Sequence, residues 1–186
     1  MSEVLIYPRS GKPHFVANNW LSLAPGQALP SSGEPVLLPL SVWQALPPEA
    51  ATRASCAPAR LGIQLGVSDD VFALEAVLAQ GLPHWSLIAV DFPVFRDGRG
   101  YSQAAWLRQH LGWQGELRAV GDVLVDQLRA MARVGFDSFA LRPDQDRELA
   151  LGTFEAFAHQ MQGDWRAARS QVARPVSAPQ AQGVDA

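Results

Sequence analysis

The sequence predicts an α/β protein: about five strand–helix units in series, forming a parallel sheet with helices packed against it. Three observations carry this. Short apolar runs (PVLLPL, RLGIQL, SLIAVDF, ELRAV, SFAL) alternate with stretches whose apolar residues recur at helical spacing. Most of those helical stretches open on Ser or Asp and several close on Gly, the residue types that start and stop helices. Crossovers this regular imply parallel strands joined by right-handed connections. Gln64 and Arg118 fall in the middle of strands, alternating with Ile63, Leu65, Leu117 and Ala119. Central strands of an open doubly wound sheet are apolar on both faces. One partly polar face favours a curved, sequentially ordered sheet resembling part of a TIM barrel, with the open doubly wound sheet as the alternative.

The elements come in order along the chain. Residues 4–7 form a strand, Pro8 to Pro13 a turn, and residues 14–17 the returning arm of a hairpin. Pro25-Gly26 and the Pro30 to Gly33 cluster break up the next stretch, so residues 1–34 read as an N-terminal arm or hairpin, with Trp20 and Leu23 pinning it to the body. Residues 35–169 read as the α/β domain. In it, residues 35–40 form a strand with Pro39 at its edge, and Ser41 caps a helix carrying Val42, Trp43 and Leu46. Pro48 starts a second short helix over residues 49–54. After the strand at 60–65, Ser68 caps a helix burying Val71, Leu74 and Leu78, with Asp69 and Asp70 in its first turn and Gly81 at its end. After the strand at 86–92, Ser102 caps a helix burying Ala104, Leu107 and Leu111, closed by Gly112. After the strand at 116–120, Asp122 caps a helix burying Leu124, Leu128 and Met131, closed by Gly135. After the strand at 138–141, Asp144 caps a helix burying Leu151, Phe154, Phe157 and Met161. Residues 170–186 lack periodicity and read as a disordered tail.

Composition narrows the function classes. The net charge of -3 offers no general attraction to nucleic acid or to an anionic membrane. No apolar run approaches the ~18–20 residues of a membrane span, and the N-terminus lacks a basic leader, so a cytoplasmic protein is expected. Cys56 is the only cysteine, which excludes an intramolecular disulfide, a CxxC redox pair and a cluster ligated by this chain's thiolates. His14, His84, His110 and His159 show no HxH, HxxxH or HExxH spacing, so no metal site is indicated. With no GxGxxG or GxxxxGK[ST] motif, no nucleotide cofactor is expected, and with no GxSxG elbow acyl transfer has no support.

The polar turns at the strand ends hold the candidate site, because ligands of parallel α/β folds gather at the carboxyl ends of strands. In FPVFRDGRGYS, Gly98 and Gly100 let the backbone approach a ligand, and amides near Tyr101 and Ser102 point outward as anion donors. Arg99 grips an oxyanion, and Asp97 serves as a general acid/base or orients Arg99. The competing reading is that Asp97 and Arg99 pair and stiffen the loop. Arg118 requires a partner (Asp91, Asp122 or Glu116) or a wet cavity, and so is either structural or anion-binding. Asp122 is a helix cap or a catalytic acid. Trp106, Trp113, Phe92 and Phe95 read as core and loop anchors.

At FPVFRDGRGYSQA, GELRAVGDVLVDQL and GFDSF the sequence resembles a bacterial family labelled as oxidoreductases of sulfite reduction and encoded beside sulfite or nitrite reductase and sulfate-assimilation genes. The resemblance runs from about residue 61 to residue 157 and loosely over the Trp20 region. It implies a role in sulfur assimilation, with sulfite reductase or other sulfate-assimilation proteins as partners. Six-electron reduction of sulfite needs a haem-type centre and an iron–sulfur relay, which a chain with one cysteine cannot ligate alone. The expectation is therefore an accessory protein that binds the reductase, a small oxyanion, or both, at Asp97, Arg99, Arg118 and Asp122. The alternatives are a stand-alone enzyme on a small anionic substrate and a non-catalytic scaffold docking a partner, or a second copy of itself, at an open sheet edge.

Overall fold

Alternating apolar side chains pull eight strands into one sheet in the computed structural model, which describes residues 3–24, 26–27, 29–30, 33–46, 60–73, 75–81, 84–155 and 165. The strands are β1 (Glu3–Ile6), β2 (His14–Ala17), β3 (Leu21–Ser22), β4 (Val36–Pro39), β5 (Leu61–Leu65), β6 (Leu87–Phe92), β7 (Glu116–Gly121) and β8 (Ser138–Phe139). Their order across the sheet is β2-β1-β8-β7-β6-β5-β4-β3. From β3 to β8 every neighbouring pair is parallel, and space follows chain order without reversal. The sheet thus lacks the switch point of a doubly wound fold, and it curls into a half-barrel.

The N-terminal residues enter this sheet directly. β1 pairs antiparallel with both β2 and β8, and β3 pairs parallel with β4 at the opposite edge. Both edge strands are short, which limits the row of unpaired backbone groups open to other chains.

Helices α1 (Leu40–Ala45), α2 (Glu75–Gly81), α3 (Arg99–Gln109), α4 (Leu128–Val134) and α5 (Arg147–Gly152) come after strands in sequence, with a 3-10 turn at Val125–Gln127 leading into α4. One face of the sheet supplies Leu38, Ile63, Leu65, Ile88, Val90, Phe92, Leu117, Ala119 and Phe139 to the core. Against them pack Leu78, Ala104, Leu107, Leu128, Met131 and Ala150 from the helices. A sequential parallel sheet with right-handed crossovers places its helices on one side. The other face, helix-free among the described residues, carries the intervening residues. The strand register sets Gln64, Ala89, Arg118, Ser138 and Ile6 in one row and Asp91 beside Val120 in the next row toward the carboxyl ends.

Several helix starts differ from the expected ones. α1 begins at Leu40, before Ser41, with Pro39 as N-cap. Residues 67–73 are turn and loop, so Ser68 caps no helix; Asp69 Oδ2 instead accepts from Gly66 N (2.8 Å), and Asp70 Oδ1 from Phe72 N (3.0 Å). α3 starts at Arg99 behind Gly98, which puts Ser102 inside the helix. The N-cap of the last helix is Asp146, which accepts from Leu149 N at 2.9 Å, and not Asp144. Gly135 closes α4 in the left-handed region as expected, φ +119°. The expected helix at 49–54, Cys56, Leu74, Phe157, Met161 and the tail at 170–186 lie outside the described residues. Among the described residues no helix is long and apolar enough to cross a membrane.

Candidate functional site

The loops at the carboxyl end of the sheet carry the polar residues that follow the apolar strands. β6 ends at Phe92, and its loop runs to Gly98. Asp97 and Arg99 form a bidentate pair there: Arg99 Nη2 lies 2.6 Å from Asp97 Oδ2 and Nε 3.0 Å from Oδ1. The pair is reinforced by Arg99 N donating to Asp97 Oδ1 at 3.1 Å. These bonds hold the Asp97 carboxyl below its ordinary range and push the Arg99 guanidinium up. The loop is stiffened from within, and two of Arg99's three guanidinium nitrogens are already engaged.

Asp122 comes after β7 and ties this loop to the next. Its Oδ2 accepts from Phe95 N (2.9 Å) and its Oδ1 from Arg142 Nη1 (2.8 Å). Arg142 also grips Asp144, whose carboxyl it holds down to about 2. Gln127 Nε2 donates to Phe95 O at 2.6 Å. Phe95 is therefore fixed at both backbone groups while the residue stays exposed. Asp122 is a cross-loop tie and caps neither Val125–Gln127 nor α4, whose N-caps are Leu124 and Gln127.

Arg118 sits elsewhere. It lies on the helix-free face, 4 % exposed, bonded to Glu116 Oε1 (2.7 Å from Nη2), Ser138 Oγ (3.2 Å) and Asn18 Oδ1 (3.1 Å). Its ion-pair partner is Glu116 at the start of β7, away from the carboxyl-end loops. The glycines also act structurally. A side chain at Gly100 would strike the Phe92 ring at 2.6 Å, so Gly100 lets α3 press onto β6. Gly98 has open space around it. Tyr101 packs edge-on against Phe92 with ring centres 5.6 Å apart, and burial raises its hydroxyl pKa, with Asp126 adding to the shift.

Arg99 and Ser102 do share a cavity. A pocket of about 270 Å³ opens between the loop after β5 and the first turns of α3, lined by Val67, Ser68, Asp69, Asp70, Val71, Phe72, Arg99, Ser102 and Gln103. Gln103 ties its two sides together, donating from Nε2 to Gly66 O (2.9 Å) and Asp69 O (2.8 Å). Asp97, Asp122 and Arg118 do not line it.

From sequence, Asp91 was no more than a partner for Arg118. The structure places it differently, at the carboxyl end of β6 on the helix-free face, with no hydrogen-bond or ion-pair partner among the described residues. Burial raises its pKa. Period-two alternation through Leu87, Ala89 and Asp91 was the available signal. Unlike Asp97, Asp122 and Asp144, Asp91 is not held by an arginine.

A raised folded-state pKa means that the folded protein holds the proton more tightly than the unfolded chain. Stability from this group is complete below the ordinary carboxyl range and falls as pH rises through the folded pKa. Asp91→Asn is thus expected to raise the melting temperature at pH 7, with the gain vanishing near pH 3. Thermal unfolding across that range checks it, and a lower melting temperature at pH 7 would reveal a favourable partner for the carboxylate.

Among the described residues no group of three or more His, Cys, Asp or Glu could hold a metal ion. No curated protein and no solved structure matches the chain. A family model covers residues 62–172, from β5 to beyond α5, and so takes in every carboxyl-end loop described above. The chain belongs to that family, bacterial proteins of unknown function (DUF934).

Proposed function

We propose that this chain is a cytoplasmic accessory protein of assimilatory sulfite reduction, docking on the reductase through the loops at the carboxyl ends of its parallel strands. The motifs FPVFRDGRGYSQA, GELRAVGDVLVDQL and GFDSF support the pathway. The mode of action rests on one observation: Phe95 is pinned through its N–H by Asp122 and through its carbonyl by Gln127, yet the residue is 39 % exposed. An exposed aromatic on a fixed backbone loses less entropy on binding and suits an interface anchor. Val94 beside it and Phe72 on the preceding strand–helix loop are also exposed. Apolar exposure at loop tips is costly unless something covers it. The curled sheet resembles part of a TIM barrel, whose functional loops lie at this same end.

The pairing of Asp97 and Asp122 favours docking over acid–base catalysis by those two residues. Asp97 is taken by Arg99, and Asp122 by Arg142 and Phe95 N. Neither acid is left as a free base at this rim, and neither arginine as an uncompensated oxyanion clamp.

Affinity purification from the native host tests the proposal. The wild-type chain is expected to bring down sulfite reductase, and Phe95→Ala to lose roughly tenfold or more of that recovery. A deletion strain should require cysteine when sulfate is the sulfur source. Normal growth on sulfate with no associated reductase would sink the proposal.

A further inference from the structure

We propose that the pocket between the loop after β5 and the first turns of α3 binds a small organic ammonium ion with an apolar flank. The inference does not require the docking reading, although Phe72 enters both. The cavity, about 270 Å³, has room for a compact ligand.

Its wall combines an unpartnered buried acceptor with two carboxylates. Gln103 is 5 % exposed, and both its amide donations go to carbonyls of residues 66 and 69, leaving Oε1 buried without a partner. Turning the amide over would set that oxygen against two carbonyl oxygens, so the orientation is fixed by its neighbours. A buried acceptor without a donor carries a desolvation cost, and its partial negative charge adds to that of the carboxylates nearby.

Asp69 and Asp70 border the same space, and each uses only one carboxylate oxygen on backbone N–H groups in the described contacts. The one cation among the described residues of the wall, Arg99, is already neutralised by Asp97. The field at the pocket is therefore negative, which disfavours a small oxyanion and favours a cation. Phe72, with its exposed ring, and Val67 and Val71 supply the apolar flank. An aromatic face beside carboxylates suits an ammonium group.

Titrating the full-length, isotope-labelled protein with phenethylammonium chloride tests this, with sodium sulfate at matched ionic strength as the second arm. Phenethylammonium is expected to shift the Gln103 side-chain amide and the backbone amides of residues 68–72 saturably. Asp70→Asn, which keeps the acceptor oxygen used by Phe72 and Ala73, should weaken binding roughly tenfold. Phe72→Leu, a surface change, should weaken it severalfold and serves should the first variant fold poorly. The absence of a saturable shift, a saturable shift with sulfate instead, or unchanged affinity in folded variants would overturn the proposal.

Discussion

Arg108→Met is expected to destabilise the fold by about 3–5 kcal/mol, the largest effect of any single substitution considered. The guanidinium is a fully buried junction on the inner side of α3. Nε and Nη2 donate to Gly135 O (3.0 and 2.9 Å), and Nη1 donates to Trp113 O (2.6 Å) and Gly115 O (2.9 Å). Nη2 also pairs with the Asp137 carboxylate. Asp137 Oδ2 in turn accepts from Leu117 N at 3.1 Å. One side chain thus joins α3, the end of α4 and the starts of β7 and β8. The guanidinium also stacks over Trp165, 4.1 Å from the ring centre. Methionine fills part of the volume but leaves three carbonyls and a carboxylate short of donors, and that accounts for the size of the loss. At this chain length the melting temperature should fall by roughly 10 °C. Asp137→Asn should cost less, because the amide oxygen still accepts from Leu117 N. Urea denaturation of both variants checks the ranking; equal losses would place the energy in the ion pair and not in the carbonyl contacts.

Gly121→Ala is expected to cost about 2–4 kcal/mol. Gly121 ends β7 with φ +93°, where a Cβ is strained. That Cβ would collide with the Phe92 carbonyl oxygen and lie 2.8 Å from Asp91 Oδ1. Nor can the Phe92 carbonyl yield, since it accepts from Asp122 N at 2.6 Å. Any relief must move Asp122, and with it the hold on Phe95. On the proposed docking reading, Gly121→Ala should also weaken reductase recovery beyond its effect on stability. Gly98→Ala is the contrast: with φ -77° and nothing within 4 Å, it should stay within about 0.5 kcal/mol of wild type. A pair of denaturation curves separates the two cases.

The helix starts show where reading from sequence stopped. Ser41, Ser68, Ser102, Asp122 and Asp144 each have the chemistry of a cap, yet the side-chain cap seen among the described residues is Asp146. A short polar side chain bonds whichever donor the fold brings nearest. For Asp122 those donors are Phe95 N, 27 residues away, and Arg142, 20 residues away. For Asp144 the donor is Arg142, two residues back. Local pattern has no access to the longer-range competitors. The same limit applies to the candidate site. Arg99 and Ser102 were brought to one pocket, whereas Asp97, Asp122 and Arg118 were each claimed by another partner.

Sequence alone determined the parallel strand–helix series, the polar face marked by Gln64 and Arg118, and the left-handed helix stop at Gly135. These rest on periodicity and on single-residue backbone preference, which act within a few positions. Tertiary structure alone decided the insertion of β1 and β3 at separate places in the sheet, the burial of Arg108, the lone carboxylate of Asp91 and the partners that claim Asp97, Asp122 and Arg142 at the rim. Those depend on which groups meet after the chain closes, because the energy of a charge or a hydrogen bond is set by its partner and its burial.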